Sequence, residues 1–163
     1  MILRDATEAD LPAIVAIYNE GIRGRVSTAQ LEEVSVEQRR LWFHEHSPEV
    51  YPLWVAELDG RIAGWLSFHA YIHRAGYRPT AEISVYVAGE FRRRGVGMAL
   101  LEKAVDAAPA LGVTALIGNV FARNESSLRL FERSGFERWG LLPGVAQVDG
   151  VRHDVVIMGR GIR

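Results

Sequence analysis

The sequence predicts a mixed α/β sheet with helices on both faces. Three observations carry this. Stretches that alternate apolar and polar residues and stretches with a helical apolar face follow one another in the order β-αα-ββ-β-α-β-α-ββ. Asp59-Gly60 stands between two strand-like runs, the strongest short hairpin signal, and Asp149-Gly150 stands likewise between the last two. Finally, Ala81 to Val87, alternating and rich in β-branched residues, leads through Arg92-Arg93-Arg94-Gly95-Val96-Gly97 into Met98 to Val105, a run of strong helix formers.

Taken in order, Ile2 to Ala6 reads as the first strand. Thr7 is a candidate N-cap, with Asp10 three residues on as a capping-box variant. The helix that follows turns Leu11, Ile14, Val15, Ile17 and Tyr18 inward and fades near Gly21 to Gly24. A second helix is expected from Val36 to His46, with Leu41, Trp42 and Phe43 as its apolar side and Pro48 and Pro52 beyond it. Leu53 to Leu58 and Arg61 to His69 make the hairpin around Asp59-Gly60. A polar loop, His73 to Pro79, leads into Ala81 to Val87. Pro109 and Gly112 end the next helix, and Val113 to Val120 is a strand. Asn124 to Ser134 reads as a helix with Leu128, Leu130 and Phe131 apolar, closed by Gly135. Phe136 to Leu142 and Val151 to Gly159 are the final strands. With no repeat, linker or low-complexity tract, one domain is expected over residues 1–163.

Composition narrows the function classes. The chain is 48% hydrophobic and 24% charged, ordinary for a globular protein, and 163 residues suffice to bury a core. A net charge of -1 gives no global electrostatic case for nucleic acid or a membrane surface. The absence of cysteine excludes disulfides, thiolate metal sites and a cysteine nucleophile. Arg4, Asp5, Glu8 and Asp10 interrupt the N-terminus before an apolar signal core can form, and no apolar run approaches the ~20 residues of a membrane span. A cytoplasmic protein is the expectation. His69/His73 and His44/His46 lack the helical i, i+4 spacing a zinc site would want, so no metal is expected.

The strand–turn–helix at Arg92 to Gly97 carries the chemistry. Free N–H groups and the positive end of the helix dipole converge there, and the glycines let a phosphate approach the backbone. A pyrophosphate-bearing ligand is expected; the competing reading is a tight turn with solvated arginines. A P-loop would need Gly-Lys-Ser/Thr, yet the only lysine is Lys103. A Rossmann turn would need a small residue where Leu100 stands.

The Arg-x-x-Gly-x-Gly turn after a Val-rich strand, together with Asn124-x-x-Ser127-x-x-Leu130-x-Glu132-x-x-Gly135-Phe136, resembles the GCN5-related N-acetyltransferase (GNAT) superfamily. Ile17-Tyr18-Asn19, Val26-Ser27-Thr28, Trp42, Trp54-Val55-Ala56-Glu57, Tyr77-x-x-Thr80-x-Glu82-x-Ser84-Val85-Tyr86-Val87 and His153-Asp154-Val155 with Met158 are similar to its phosphinothricin / methionine sulfoximine acetyltransferase group. The resemblance spans nearly the whole chain. It implies the acyl-CoA N-acyltransferase fold, a twisted mixed sheet whose two parallel strands splay, here near Val87 and near Asn119. It implies acetyl-CoA as co-substrate. Val85, Tyr86 and Val87 would meet the pantetheine arm by backbone pairing, and Arg92, Arg93, Arg94, Gly95, Val96, Gly97 and Met98 would hold the pyrophosphate. Asn124 and Ser127 would complete the cofactor contacts; Asn124 reads equally as the N-cap of the last helix. A homodimer is also implied.

The chemistry then needs a base for the acceptor's ammonium. Glu82 is the candidate, sharing a strand face with Ser84 and Tyr86 by alternation; a solvent-facing or ion-paired glutamate is the other reading. The acceptor is expected to be a small amino-acid-like compound such as phosphinothricin, methionine sulfoximine or methionine sulfone. The segment Arg74, Ala75, Gly76, Tyr77 and Arg78 is expected to meet it, the arginines gripping an anion or standing solvated, with Thr28 across the site. Tyr18, Ser27 and Trp42 stand on the same side, Tyr18 and Trp42 reading first as core. Phe131 stands where many superfamily members have a tyrosine, and phenylalanine cannot donate a proton to a leaving thiolate. Ala29-Gln30 and Ala146-Gln147-Val148 depart from the group pattern where acceptor contacts are expected. Other readings are acetylation of another small amine or a protein N-terminus, a non-catalytic acyl-CoA sensor, and a nucleic-acid-binding domain, for which the three arginines lack an aromatic platform.

Overall fold

The computed structural model describes residues 1–163. Its strands are β1 (Ile2–Asp5), β2 (Leu53–Leu58), β3 (Arg61–Ala70), β4 (Thr80–Val87), β5 (Ala115–Phe121), β6 (Glu137–Val148) and β7 (Val151–Gly161). Its helices are α1 (Leu11–Gly24), α2 (Val36–His44), α3 (Val96–Ala107) and α4 (Glu125–Arg133). The strands form one sheet in the order β1-β2-β3-β4-β5-β7-β6. Only β4 and β5 run parallel, which is why a helix, α3, has to cross over between them.

Asp59 and Gly60 both take left-handed angles (φ 54 and 73), as a tight hairpin turn requires, and close β2 onto β3. Asp149 and Gly150 (φ 51 and 79) do the same for β6 and β7. Ser35 caps α2 by accepting from the Gln38 N–H at 3.1 Å, while Gln38 accepts from the Ser35 N–H at 2.8 Å. At the chain start, Asp10 accepts from the Thr7 N–H at 2.8 Å and from Arg4 at 2.7 and 2.9 Å. Arg4 also reaches Glu57 at 2.8 Å, tying β1 to β2 and to the head of α1.

The two faces of the sheet carry different helices. Trp65 Nε1 on β3 donates to the Ile14 carbonyl of α1 at 3.1 Å, and the Tyr86 ring on β4 meets Tyr18 of α1 at 5.3 Å. On the opposite face, a Cβ at Gly64 would lie 2.9 Å from Val96 of α3. The Lys103 ammonium of α3 lies 4.7 Å from the Trp54 ring. Leu11, Ile14, Val15, Ile17 and Tyr18 are buried as expected, and Trp65, Leu66, Phe68, Leu100, Leu101 and Leu116 fill the centre.

Two expectations need correction. The second helix ends at His44, two residues early, and Leu41 is 74% exposed. Trp42 and Phe43 alone pack inward from that turn. Three adjacent residues span too much of a helix circumference for all to face one core.

Candidate functional site

β4 pairs with β3 from Ala81 opposite Ala70 to Val87 opposite Gly64. With β5 it pairs only at Thr80–Ala115, Ala81–Leu116 and Glu82–Ile117. Beyond that point the parallel strands separate, leaving Ile83–Val87 and Gly118–Phe121 without each other as partners. A fork therefore opens in the middle of the sheet, with Val85, Tyr86 and Val87 on one prong.

Glu82 sits at the base of the fork. Its Oε1 accepts from Asn119 Nδ2 at 2.7 Å, so the first polar side chain on the far prong reaches back to the carboxylate. On the other face of β5, Gly118 leaves room for the Phe131 ring, which would lie 2.6 Å from any Cβ there. Phe131 is 3% exposed and packs edge-on against Phe136. The α4 aromatic is thus a wedge under the fork.

At the end of β4 the chain enters the basic turn. Arg93 (φ 60) and Gly95 (φ 81) both adopt left-handed angles, which for arginine is uncommon. Alternation of this kind turns successive N–H groups toward one concavity. The N–H groups of Arg93, Arg94, Gly95, Val96, Gly97 and Met98 donate to no acceptor in the chain; the first helical bond is Ala99 N–H to the Gly95 carbonyl, 3.0 Å. Arg94 pairs with Asp59 at 3.0 Å. Arg92 and Arg93 are exposed with no acidic partner. Gly97 allows close packing of α3 on α4, since a Cβ there would meet Leu130 at 2.7 Å. Asn124 caps α4 by accepting from the Ser127 N–H at 3.2 Å, leaving its amide nitrogen unbonded. This donor-rich concavity and the open prong fit a pyrophosphate joined to an arm that carries amides.

The α1/α2 face of the fork opens into a cleft of about 410 Å3. Glu82, Ser84 and Tyr86 line it from β4, and Trp65, Ser67 and His69 from β3. Tyr18, Thr28, Arg39 and Trp42 close it from the helices. The Tyr18 and Thr28 hydroxyls lie 3.4 Å apart. Tyr86 stacks on Trp65 at 4.8 Å, and burial, followed by the nearby Tyr18, pushes its hydroxyl up to about 12, so it stays protonated at neutral pH. His69 Nε2 lies 2.9 Å from Ser67 Oγ, and its ring is 5.1 Å from His46. Burial, then the charges of His46 and Arg39, pull His69 down to about 4; burial lowers His46 as well. A larger depression of about 530 Å3 lies between Leu3 and α3, remote from the fork.

Arg74, Ala75, Gly76, Tyr77 and Arg78 are not brought into this cleft. Ala75–Tyr77 form a short 3-10 turn on the surface, Tyr77 packs on Tyr71 at 5.9 Å, and both arginines are exposed. Arg39, Ser67 and His69 line the cleft and Asn119 stands at the fork, and none of the four is among the site residues expected from the sequence. For Asn119 a signal existed: Gly118-Asn119 breaks an otherwise apolar strand. For Arg39 there was none. No group of three or more His, Cys, Asp or Glu side chains is placed to hold a metal ion, and no helix is long and apolar enough to cross a membrane.

A parallel pair that forks beside a donor-rich helix turn is the decisive geometry. Residues 12–136 match the model of the Acetyltransferase (GNAT) family. The chain belongs to the GNAT acetyltransferase family. It is an N-acetyltransferase, with the mixed acyl-CoA N-acyltransferase fold expected from its sequence. This GNAT acetyltransferase is 47% identical over 161 residues, 98% of each chain, to YwnH of Bacillus subtilis (strain 168), provisionally named a phosphinothricin acetyltransferase. It is 34% identical over 157 residues to the L-methionine sulfoximine/L-methionine sulfone acetyltransferase of Pseudomonas paraeruginosa, covering 96% of this chain and 91% of that protein. Among solved structures it resembles the phosphinothricin acetyltransferase of Sinorhizobium meliloti in complex with acetyl-CoA: TM-score 0.93, 33% identity, covering 99% of this GNAT chain and 88% of that one.

Proposed function

We propose that this enzyme transfers the acetyl group of acetyl-CoA to the amino group of a small amino-acid-like acceptor, such as phosphinothricin, methionine sulfoximine or methionine sulfone. The observation that carries the reading is the Glu82–Asn119 contact at 2.7 Å, a fixed carboxylate where the sheet opens. The names of the relatives support the acceptor class.

In this reading residues 1–163 act as one catalytic domain, since a single sheet takes strands from both chain ends. The free N–H groups of Arg93 to Met98 hold the pyrophosphate, Arg92 and Arg93 add charge-assisted contacts, and Val85, Tyr86 and Val87 pair with the arm along the open prong. The free amide nitrogen of Asn124, beside Ser127, adds a donor. Bound there, acetyl-CoA supplies an acetyl group activated as a thioester. Glu82 accepts the proton from the acceptor's ammonium, directly or through one water, and so frees the lone pair of the nitrogen. That nitrogen forms the C–N bond to the acetyl carbonyl as the C–S bond breaks and coenzyme A leaves as its thiolate. Asn119 keeps that carboxylate turned toward the fork. Tyr86, Ser84 and Thr28 offer hydroxyls to the acceptor, and the Trp42 and Trp65 rings exclude water.

The enzyme acts as a homodimer in this reading. Trp139, Leu141 and Val145 are exposed by 48%, 57% and 60% on β6, the edge strand of the sheet, where apolar side chains and an open edge suit a second copy. Light scattering on the purified chain gives the mass directly.

The acceptor is tested by thiol release from acetyl-CoA against a panel of amino acids, their sulfoximine, sulfone and phosphinate analogues, simple amines and a peptide with a free N-terminus. Turnover confined to the amino-acid-like compounds is the expected result. Turnover of the peptide alone, or coenzyme A binding with no turnover of any acceptor, contradicts the reading.

A further inference from the structure

Arg39 is the only arginine or lysine lining the cleft. Its guanidinium lies 4.1 Å from the Trp42 ring centroid and 4.6 Å from that of Tyr18. The two rings hold the guanidinium plane in place but satisfy none of its N–H donors. No carboxylate comes within ion-pair distance of it, and its side chain makes no hydrogen bond, whereas neighbouring Arg40 is paired with both Glu8 and Glu37. Burial is the largest influence on Arg39 and works against its charge. A half-buried cation with no counterion is costly unless an anion comes to it. Its nitrogens are not sealed off, because none of them is among the fully buried atoms lacking a partner.

The cleft therefore holds one carboxylate, Glu82, already oriented by Asn119, and one fork-shaped cation without an anion. That pairing complements a zwitterion: an ammonium toward Glu82 and a carboxylate toward Arg39. We propose that Arg39 binds the acceptor's carboxylate and makes the enzyme selective for amines that carry one. The assignment rests on the amino-acid acceptor reading above. It moves the anion contact from Arg74 and Arg78, which stand on the exposed loop, to α2.

The test compares methionine sulfone, whose carboxylate is its only anion, with methionine sulfone carboxamide. The acid-to-amide ratio of kcat/KM is measured for the wild type, Arg39→Gln and Arg39→Lys. The wild type is expected to prefer the acid by about 30-fold or more, mostly through KM. Arg39→Gln brings the ratio close to one, and Arg39→Lys, which keeps the charge but loses the fork, falls between. Calorimetric titration of the two compounds into protein saturated with coenzyme A should give the same order without turnover. A ratio preserved in Arg39→Gln, or an unselective wild type, overturns the proposal. Coenzyme A binding confirms that each variant is folded; if Arg39→Gln fails that check, the wild-type and Arg39→Lys ratios decide. A wild type that acetylates neither compound but does acetylate other amines removes the amino-acid reading itself, and with it this role for Arg39.

Discussion

Asn119 Nδ2 donates to Glu82 Oε1 at 2.7 Å across the gap where β4 and β5 part. Pairing between those strands stops at Glu82–Ile117, so this side-chain bond stands where the next backbone contact would have been. A carboxylate so held is oriented before any acceptor arrives, which is the condition for efficient proton transfer.

Glu82→Gln keeps the shape of the side chain and removes its capacity to take a proton. We predict a fall in kcat of about 100-fold or more with coenzyme A affinity little changed. Steady-state thiol release and calorimetry measure the two quantities. Equal activity in the variant would remove Glu82 from the chemistry.

Asn119→Asp replaces the donor with a second carboxylate at the same short range. Like charges held side by side oppose each other's ionisation, so the pair gives up its last proton less readily than Glu82 alone. The rising limb of kcat/KM against pH should move alkaline by about one unit or more, and an unshifted profile would separate Asn119 from the catalytic group.

His69 makes stability depend on pH. Its ring is held neutral down to about 4, whereas in the unfolded chain it takes up a proton near the ordinary 6.5. Between those values the unfolded chain binds more protons, so stability falls as pH drops from about 6.5 toward 4, by about 3 kcal/mol at most. His69→Gln should flatten the fall in Tm between pH 7 and pH 4.5. The same slope in the variant would assign the effect to other groups.

How much of this was legible in the sequence differs by element. The element order was readable because local signals agree with the fold: Asp59-Gly60 closes its hairpin, Asp10 bonds back to Thr7 at the head of the first helix, and Glu82, Ser84 and Tyr86 share a face by alternation alone. The basic turn was readable because glycine spacing and helix polarity are local facts. The acceptor side was not. The His46–His69 contact and the place of Arg39 depend on how α2 lies across β3, and no local pattern encodes that. The Asn119–Glu82 bond depends on the parallel register of strands joined by a helical crossover, which a hairpin turn cannot set. Arg74 and Arg78 were plausible anion ligands by residue type, yet their loop folds onto the surface.

Gly118→Ala tests the wedge beneath the fork. The added methyl would meet the Phe131 ring at 2.6 Å, and a buried ring boxed in by Phe136 has little freedom to move. Overpacking of this kind costs about 1–3 kcal/mol, so we predict a Tm several degrees lower together with weaker coenzyme A binding. Full tolerance would show that the α4 aromatic does not hold the fork open.

The central claim is that free main-chain donors from Arg93 to Met98 grip the diphosphate of the acetyl donor. Calorimetric titration of the purified chain with coenzyme A, and separately with pantetheine, which lacks the diphosphate, tests it most directly. The account predicts one coenzyme A per chain, with pantetheine at least about 100-fold weaker. Equal affinity for the two, or no binding of coenzyme A by the folded protein, would contradict it.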